Sequence, residues 1–404
     1  MIVEFSVENF RSFKEMQTLQ MQAANIVSKD KRLDEQNVFQ TDKLNLLKFK
    51  AIYGANGSGK SNVVLAMRAF RQIVRDSFKD EKILEKHIRP FYLDKETQQK
   101  PSFFEMVFLI KGIQYRYGFE ADRNEVYAEW LFVKDKKEVP YFLREGQELE
   151  YYNEKNFSEA KILQNQGKNV FRKNSLVISV LAALNGTIST LIYNYGFYTA
   201  SGLEDYTNNV ITPIKIFKGI ILDFIKSIDA SIDDFEIIND SGKERILIKR
   251  KIKNTDELAN FFLDTEEAEG TKKMFYIVPI INIYLTTGGT IILDEFDSRL
   301  HPLLSRKIVE LFNSKENNSN GAQLIVATHD TNLLDADLLR RDQIVFTKKN
   351  KEGESTLIDL VEFKGVRNTA SYEKDYLLGK YGALPYLNQM DVIFQNAKDY
   401  AKKE

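Results

Sequence analysis

The chain has 404 residues, more than one ordinary single-core domain holds, so its length predicts either one large head with a sizeable insertion or two domains, with room for a substantial core. Its 57 Lys and Arg against 58 Asp and Glu exclude an overall electrostatic pull toward nucleic acid or an anionic membrane, and any such binding has to be local. The absence of cysteine excludes disulfides, thiolate metal sites and cysteine nucleophiles, and it fits a reducing cytoplasm.

Met1 to Phe5 alternates in sidedness and predicts a strand, while Glu4, Glu8 and Arg11 break the apolar run that a signal peptide would need. After a turn at Asn9, the polar stretch Ser28 to Lys43 reads as a variable loop and Leu46 to Tyr53 as a second strand. Ser61 to Asp76 follows a glycine-rich turn and spaces Val64, Met67, Phe70 and Ile73 as one face of a helix. Short Phe-, Tyr- and Val-rich runs at Phe104 to Ile110, Gln114 to Glu120 and Glu129 to Val133 predict antiparallel strands.

From Phe157 to about Ile238 the spacing turns helical, with Leu176, Val180 and Leu184, then Ile214, Phe217, Ile221 and Phe224, and predicts a mostly helical insertion. Gly242 to Ile252 reads as a hairpin arm and Glu269 to Leu285 as a helix, with Thr290 to Leu293 and Gln323 to Ala327 as buried parallel strands. Ile277 to Leu293 is the most apolar late stretch, but Asn282, three threonines and two glycines interrupt it, so it predicts a buried helix and strand rather than a membrane span. The lysines at 348 to 351 read as a solvated loop, and no repeat is visible. This divides the chain into the first part of a head at 1–155, an insertion at 156–240 and the second part of the head at 241–404.

Gly54-Ala55-Asn56-Gly57-Ser58-Gly59-Lys60-Ser61, followed by Asn62, fits the P-loop pattern between a strand and a helix. Glycines let backbone N–H groups turn onto phosphate, the helix N-terminus adds a positive dipole, Lys60 reaches the outer phosphates, and Ser61 suits magnesium. Such a cradle needs a carboxylate at the end of a neighbouring strand, and Thr290 to Glu295 supplies Asp294 for the metal and Glu295 to orient or deprotonate the attacking water. Leu324 to Asp330, read as one strand further on, ends in His329, an imidazole able to donate to the terminal phosphate. ATP and Mg2+ are the cofactors these residues imply, and the fold they imply is an α/β P-loop NTPase with a mixed central sheet, an antiparallel β subdomain and a helical insertion.

In this order, and with Val7-Glu8-Asn9-Phe10-Arg11-Ser12-Phe13 ahead of them, the motifs resemble those of the SMC, RecF and OLD-like ABC ATPases. More narrowly, Pro90 to Leu93, Gln114 to Glu120, Glu267 to Lys273, Leu339 to Ile344 and Tyr376 to Pro385 resemble the AAA-type ATPases of abortive infection, the AbiLi and RloA group. The resemblance implies that Arg11 and Ser12 line the nucleotide pocket. It also implies that Glu267 to Lys272 is a signature segment, with Gly270 and Thr271 closing on the ATP of a second head. Three positions depart from the pattern: Ala268 stands where a serine is usual, no glutamine occurs in His87 to Leu93, with Gln98 and Gln99 read as loop residues, and His301 replaces the aspartate that commonly follows the Asp-Glu pair. His301 either senses the partner head or starts a helix with Pro302 in its first turn.

The family implies a cytoplasmic ATP switch that pairs through its heads and controls a partner effector, such as a TOPRIM-like nuclease, in anti-phage defence. The 75 residues that follow His329 are too few for such a nuclease domain beside the last head elements. The alternative is a RecF- or SMC-like ATPase of DNA repair that clamps duplex, against which the balanced charge weighs, as the lack of sustained heptads weighs against a long coiled coil. A transporter ATPase would need a membrane partner, and the variant signature and the Arg11-Ser12 opening disfavour it.

Overall fold

The fold comes from a computed structural model that describes residues 1–164, 171–201, 205, 210–367 and 370–384, and Pro385 of the segment beginning at Tyr376 lies outside them. One sheet is antiparallel throughout. Its order is β10 (Glu148–Tyr152), β9 (Glu138–Glu145), β8 (Val126–Lys134), β7 (Ile113–Ala121), β6 (Ser102–Ile110), β1 (Ile2–Glu8) and β2 (Gln17–Gln20). The three aromatic-rich runs of the sequence thus become its central strands.

The second sheet is mixed, in the order β11 (Phe197–Ala200), β15 (Thr290–Leu293), β16 (Gln323–Ala327), β5 (Phe49–Tyr53), β17 (Ile344–Lys349) and β18 (Ser355–Asp359). All neighbours are parallel except β17 and β18. Every residue of β5, β15 and β16 is buried, as a parallel sheet covered on both faces requires. Alternate residues supply two different cores. Ile52, Ile292, Ile325 and Val345 face the antiparallel sheet and the helix Lys60–Asp76. Ala51, Tyr53, Ile291, Leu293, Leu324 and Val326 face the helices Glu269–Thr287 and Pro302–Asn313.

The helix Lys60–Asp76 lies between the two sheets. Its Phe70 ring sits 5.9 Å from Phe5, 5.9 Å from Tyr117 and 5.7 Å from Phe119, so the antiparallel subdomain packs directly on the helix that starts at the P-loop. Gln323 on β16 stitches the sheets together: its Oε1 accepts from Ile2 N at 2.6 Å, and its Nε2 donates to Ile2 O at 2.9 Å and Leu47 O at 3.1 Å. Among the described residues no single helix is long and apolar enough to cross a membrane.

Two expectations are corrected, and a third gains detail. The stretch 156–240, read as mostly helical, also contributes strands. It carries the helices Lys161–Gln164, Val177–Ala183, Thr187–Asn194, Ile211–Ile216 and Lys218–Ile228, but β11 joins the edge of the central sheet. Its end, β12 (Ile232–Asp240), pairs with β13 (Lys243–Lys251) and through it with β14 (Leu258–Phe262). A four-residue strand is too short for a period to emerge between helical stretches. The polar segment 28–43 also holds the helix Lys31–Gln36 and β3 (Val38–Gln40), which pairs with β4 (Asn45–Leu47). Finally, β15 is not adjacent to the P-loop strand: β16 lies between β15 and β5 and therefore sits inside the pair rather than beyond it.

Candidate nucleotide site

The P-loop leaves the C-terminal end of β5 and enters the helix Lys60–Asp76 through Gly59, whose φ of 116° lies in the region that favours glycine. A Cβ there would stand 2.7 Å from Ser355 Oγ and 3.1 Å from Ser12 Oγ, so the loop is pressed against its support. Gly59 offers no side-chain cap, which leaves the first amides of the helix for a ligand. Asn56 and Gly57 form the exposed crest, whereas Ser58 and Lys60 are buried.

Lys60 Nζ donates to Gly54 O at 2.7 Å and Ala55 O at 3.2 Å, folding back over the loop it follows. Burial lowers its pKa, against the opposing pull of Asp294, Asp297 and Glu295. Supports come from both sides. Asn62 Nδ2 donates to Ser12 Oγ at 2.6 Å, Ser355 N to Ser12 O at 2.7 Å, and Ser355 Oγ to Ser58 O at 2.7 Å, while Ser58 and Thr347 hydroxyls also pair. Arg11, beside Ser12, is exposed with φ at 53°, and its N–H donates to Arg89 O at 2.7 Å. Thr347 and Ser355 were not singled out by the sequence; hydroxyl residues on strands carry no motif, and they reach the loop only because β17 and β18 extend the sheet past β5.

Asp294, at the end of β15, is buried, and its Oδ1 accepts from Glu295 N at 3.1 Å. Burial raises the pKa of Asp294, opposed by Ser61, the amide of Glu295 and Lys60. Glu295 follows, exposed and with φ at 47°, an unusual conformation for a glutamate. His329, after β16, is exposed, and burial of part of its ring together with Lys60 lowers its pKa, while Asp297, Glu295 and Asp294 oppose the shift. The structure therefore gathers Lys60, Ser61, Asp294, Glu295 and His329 at the C-terminal ends of three strands, the usual ligand side of a parallel sheet. Asp297, which the sequence reading passed over, braces the last of them: its Oδ1 accepts from Thr328 Oγ1 and from His329 N at 3.1 Å.

The residues present fit a magnesium nucleotide. One hydroxyl and one carboxylate suit a hard cation that takes its remaining ligands from phosphate and water. Among the described residues no cluster of three or more His, Asp or Glu forms a metal site without such help.

Gly270 and Thr271 lie elsewhere, in the first turn of the helix Glu269–Thr287. With Ala268, Met274, Arg299 and His301 they line an apolar cavity of about 340 Å³ that includes no P-loop residue. His301 is the N-cap of the helix Pro302–Asn313, its Nδ1 accepting from Leu303 N at 3.2 Å, with Pro302 in the first turn. Gln98 and Gln99 fall in a single 3-10 turn, where Gln98 Nε2 donates to Tyr92 O at 2.7 Å.

A family model described as "AAA domain, putative AbiEii toxin, Type IV TA system" matches residues 49–186 and 193–335, more than half of the chain. No curated protein matches in sequence. Among solved structures, the SMC head domain from Thermotoga maritima is 16% identical over 89% of this chain and 98% of its own, with a TM-score of 0.43. The SmcHead bound to the C-winged helix domain of ScpA is 13% identical over 88% and 96%, with a TM-score of 0.44.

Proposed function

Since the chain belongs to this AAA domain family, we propose that it binds ATP with Mg2+ at Gly54 to Asn62 and hydrolyses it as a switch. The carrying observation is topological: β16 alone separates β5, which feeds the P-loop, from β15, so the phosphate cradle and the Asp294–Glu295 pair open on the same C-terminal edge of the parallel sheet. In this reading Ser61 and Asp294 hold magnesium, Lys60 neutralises the outer phosphates, Glu295 orients the attacking water, and His329 donates to the terminal phosphate. Arg11 and Ser12 border the same pocket. Gly270 and Thr271, set apart on their own helix, close on the nucleotide of a second copy, so that ATP favours the paired state and hydrolysis releases it.

The family's description names a toxin–antitoxin system, which supports a defence role. On the residues that resemble the AbiLi and RloA group, the switch is a cytoplasmic, self-associating abortive-infection ATPase that licenses a separate effector such as a TOPRIM-like nuclease.

Retention of labelled ATP with magnesium, turnover, and size in solution test the nucleotide reading together. Lys60→Ala is expected to abolish retention. Glu295→Gln is expected to retain ATP, lose roughly 10²–10⁴-fold in turnover and accumulate as pairs. A folded wild-type chain that fails to retain Mg-ATP sinks the proposal, and Glu295→Gln turning over at the wild-type rate sinks the role given to that carboxylate.

A further inference from the structure

The helix Glu269–Thr287 and the loop that follows β15 are held together by one buried cation. Lys273, 4% exposed, donates from Nζ to Glu295 O at 3.0 Å, Phe296 O at 2.9 Å and Ser298 O at 3.0 Å. Three carbonyls on one loop match the three protons of an ammonium. The contact is reinforced at the helix start: a Cβ on Gly270 would stand 2.7 Å from Arg299 O, and the Arg299 guanidinium pairs with Glu269.

The same loop grips the reacting end of the site. Asp297 holds Thr328 and the amide of His329, and Phe296 N donates to Ala327 O at 3.1 Å. Glu295 itself sits at φ 47°, a conformation that costs a non-glycine residue about 1 kcal/mol or more and persists where the surroundings over-determine it. The Lys273 hydrogen bond to its own carbonyl is one such restraint.

We propose that Lys273 is a positioning residue: it fixes the backbone of Glu295 and thereby ties the aim of that carboxylate to the helix that begins at Gly270 and Thr271. Movement of that helix against a second head would reach the Glu295 backbone through the Lys273 side chain. This role rests on the nucleotide-switch reading above. Lys273 does not touch nucleotide; it acts through Glu295.

Lys273→Met removes all three donors while keeping the aliphatic stem, and it is compared with wild type in full-length chain by thermal melting, ATP KM and kcat. The expected result is a kcat lower by on the order of 10²-fold, as misplacement of a reacting group produces. KM is expected to stay within about threefold, because ground-state binding belongs to the P-loop. In a Glu295→Gln background the same substitution is expected to lower kcat no further, since both changes act on one group. An unchanged kcat, or an equal fractional loss in both backgrounds, overturns the proposal and leaves Lys273 as packing alone. Should Lys273→Met not purify folded, Lys273→Gln, which keeps an amide donor, carries the same comparison with a smaller loss expected. A wild-type chain without turnover removes the switch reading and this role together; a wild-type chain that turns over beside an unimpaired variant removes this role alone.

Discussion

Two buried lysines of this chain, Lys48 and Lys273, are received by backbone carbonyls, whereas buried Lys50 also pairs with the Asp359 carboxylate. Lys48 is 1% exposed and donates to Asn313 O at 3.2 Å, the last carbonyl of the helix Pro302–Asn313, and to Ser314 O at 3.4 Å just beyond it, at a helix end whose dipole favours a cation. Burial, with a smaller push from Lys315, lowers its pKa to about 8, below the 10.5 of an exposed lysine. Between those two values the unfolded chain binds more protons than the folded one, so stability rises with pH across that window, and below about pH 8 the full cost of burying the charge is present. Lys273, also lowered to about 8 by burial, adds to the same slope. Lys48→Met is therefore expected to flatten the rise in urea-unfolding free energy between about pH 8 and 10.5, without removing the share owed to Lys273. An identical slope in the variant would mean that Lys48 is not the titrating group.

At the scale of elements, the helix Val177–Ala183 has no side-chain cap of its own and takes one from the antiparallel sheet. Glu129 on β8 accepts from Val177 N at 2.7 Å and Ile178 N at 3.1 Å, from Tyr117 OH at 2.9 Å, and from Arg144 Nη1 at 3.1 Å, with both charged side chains fully buried. Removing one partner of such a pair leaves an uncompensated charge, so Glu129→Ala is expected to cost about 3–5 kcal/mol in urea unfolding, and Glu129→Leu combined with Arg144→Met is expected to cost less than Glu129→Ala. A Glu129→Ala chain as stable as wild type would show that the network contributes nothing net. This cap also marks where sequence reading stops. Glu129 and Val177 are separated by 48 positions, so no local period links them. What was legible was local: a P-loop between strand and helix, period-two aromatic runs, apolar strands ending in Asp294 or His329. What was not legible was lateral order, because nothing in β15 or β16 encodes which lies next to β5, and hydroxyls such as Ser355 acquire a function only through that order.

The whole molecule bears on whether paired heads would clamp duplex. Its charge is balanced overall, at 57 basic against 58 acidic residues, and the balance persists where basic residues concentrate, on the β12–β14 sheet and the helix before it. There Arg245 pairs with Asp240 at 2.8 Å and Asp264 at 2.7 Å, Arg250 with Asp229 at 2.9 Å and Glu267 at 2.7 Å, Lys249 with Glu236 at 2.8 Å, and Lys218 with Asp234 at 2.9 Å. A cation already matched by a neighbouring carboxylate releases few counterions from DNA, because phosphate must compete with an anion that the protein supplies itself. Each phosphate neutralised in a duplex adds about −0.9 to the slope of log K against log salt. The ATP-loaded Glu295→Gln protein, expected to accumulate as pairs, is the form in which a clamp would be most complete. Titrated with duplex DNA across a salt series, that form is expected to bind weakly, with a slope shallower than about −3. A slope near −6 or steeper would require a basic groove assembled only on pairing, and it would move the reading from a defence switch to a DNA-clamping ATPase.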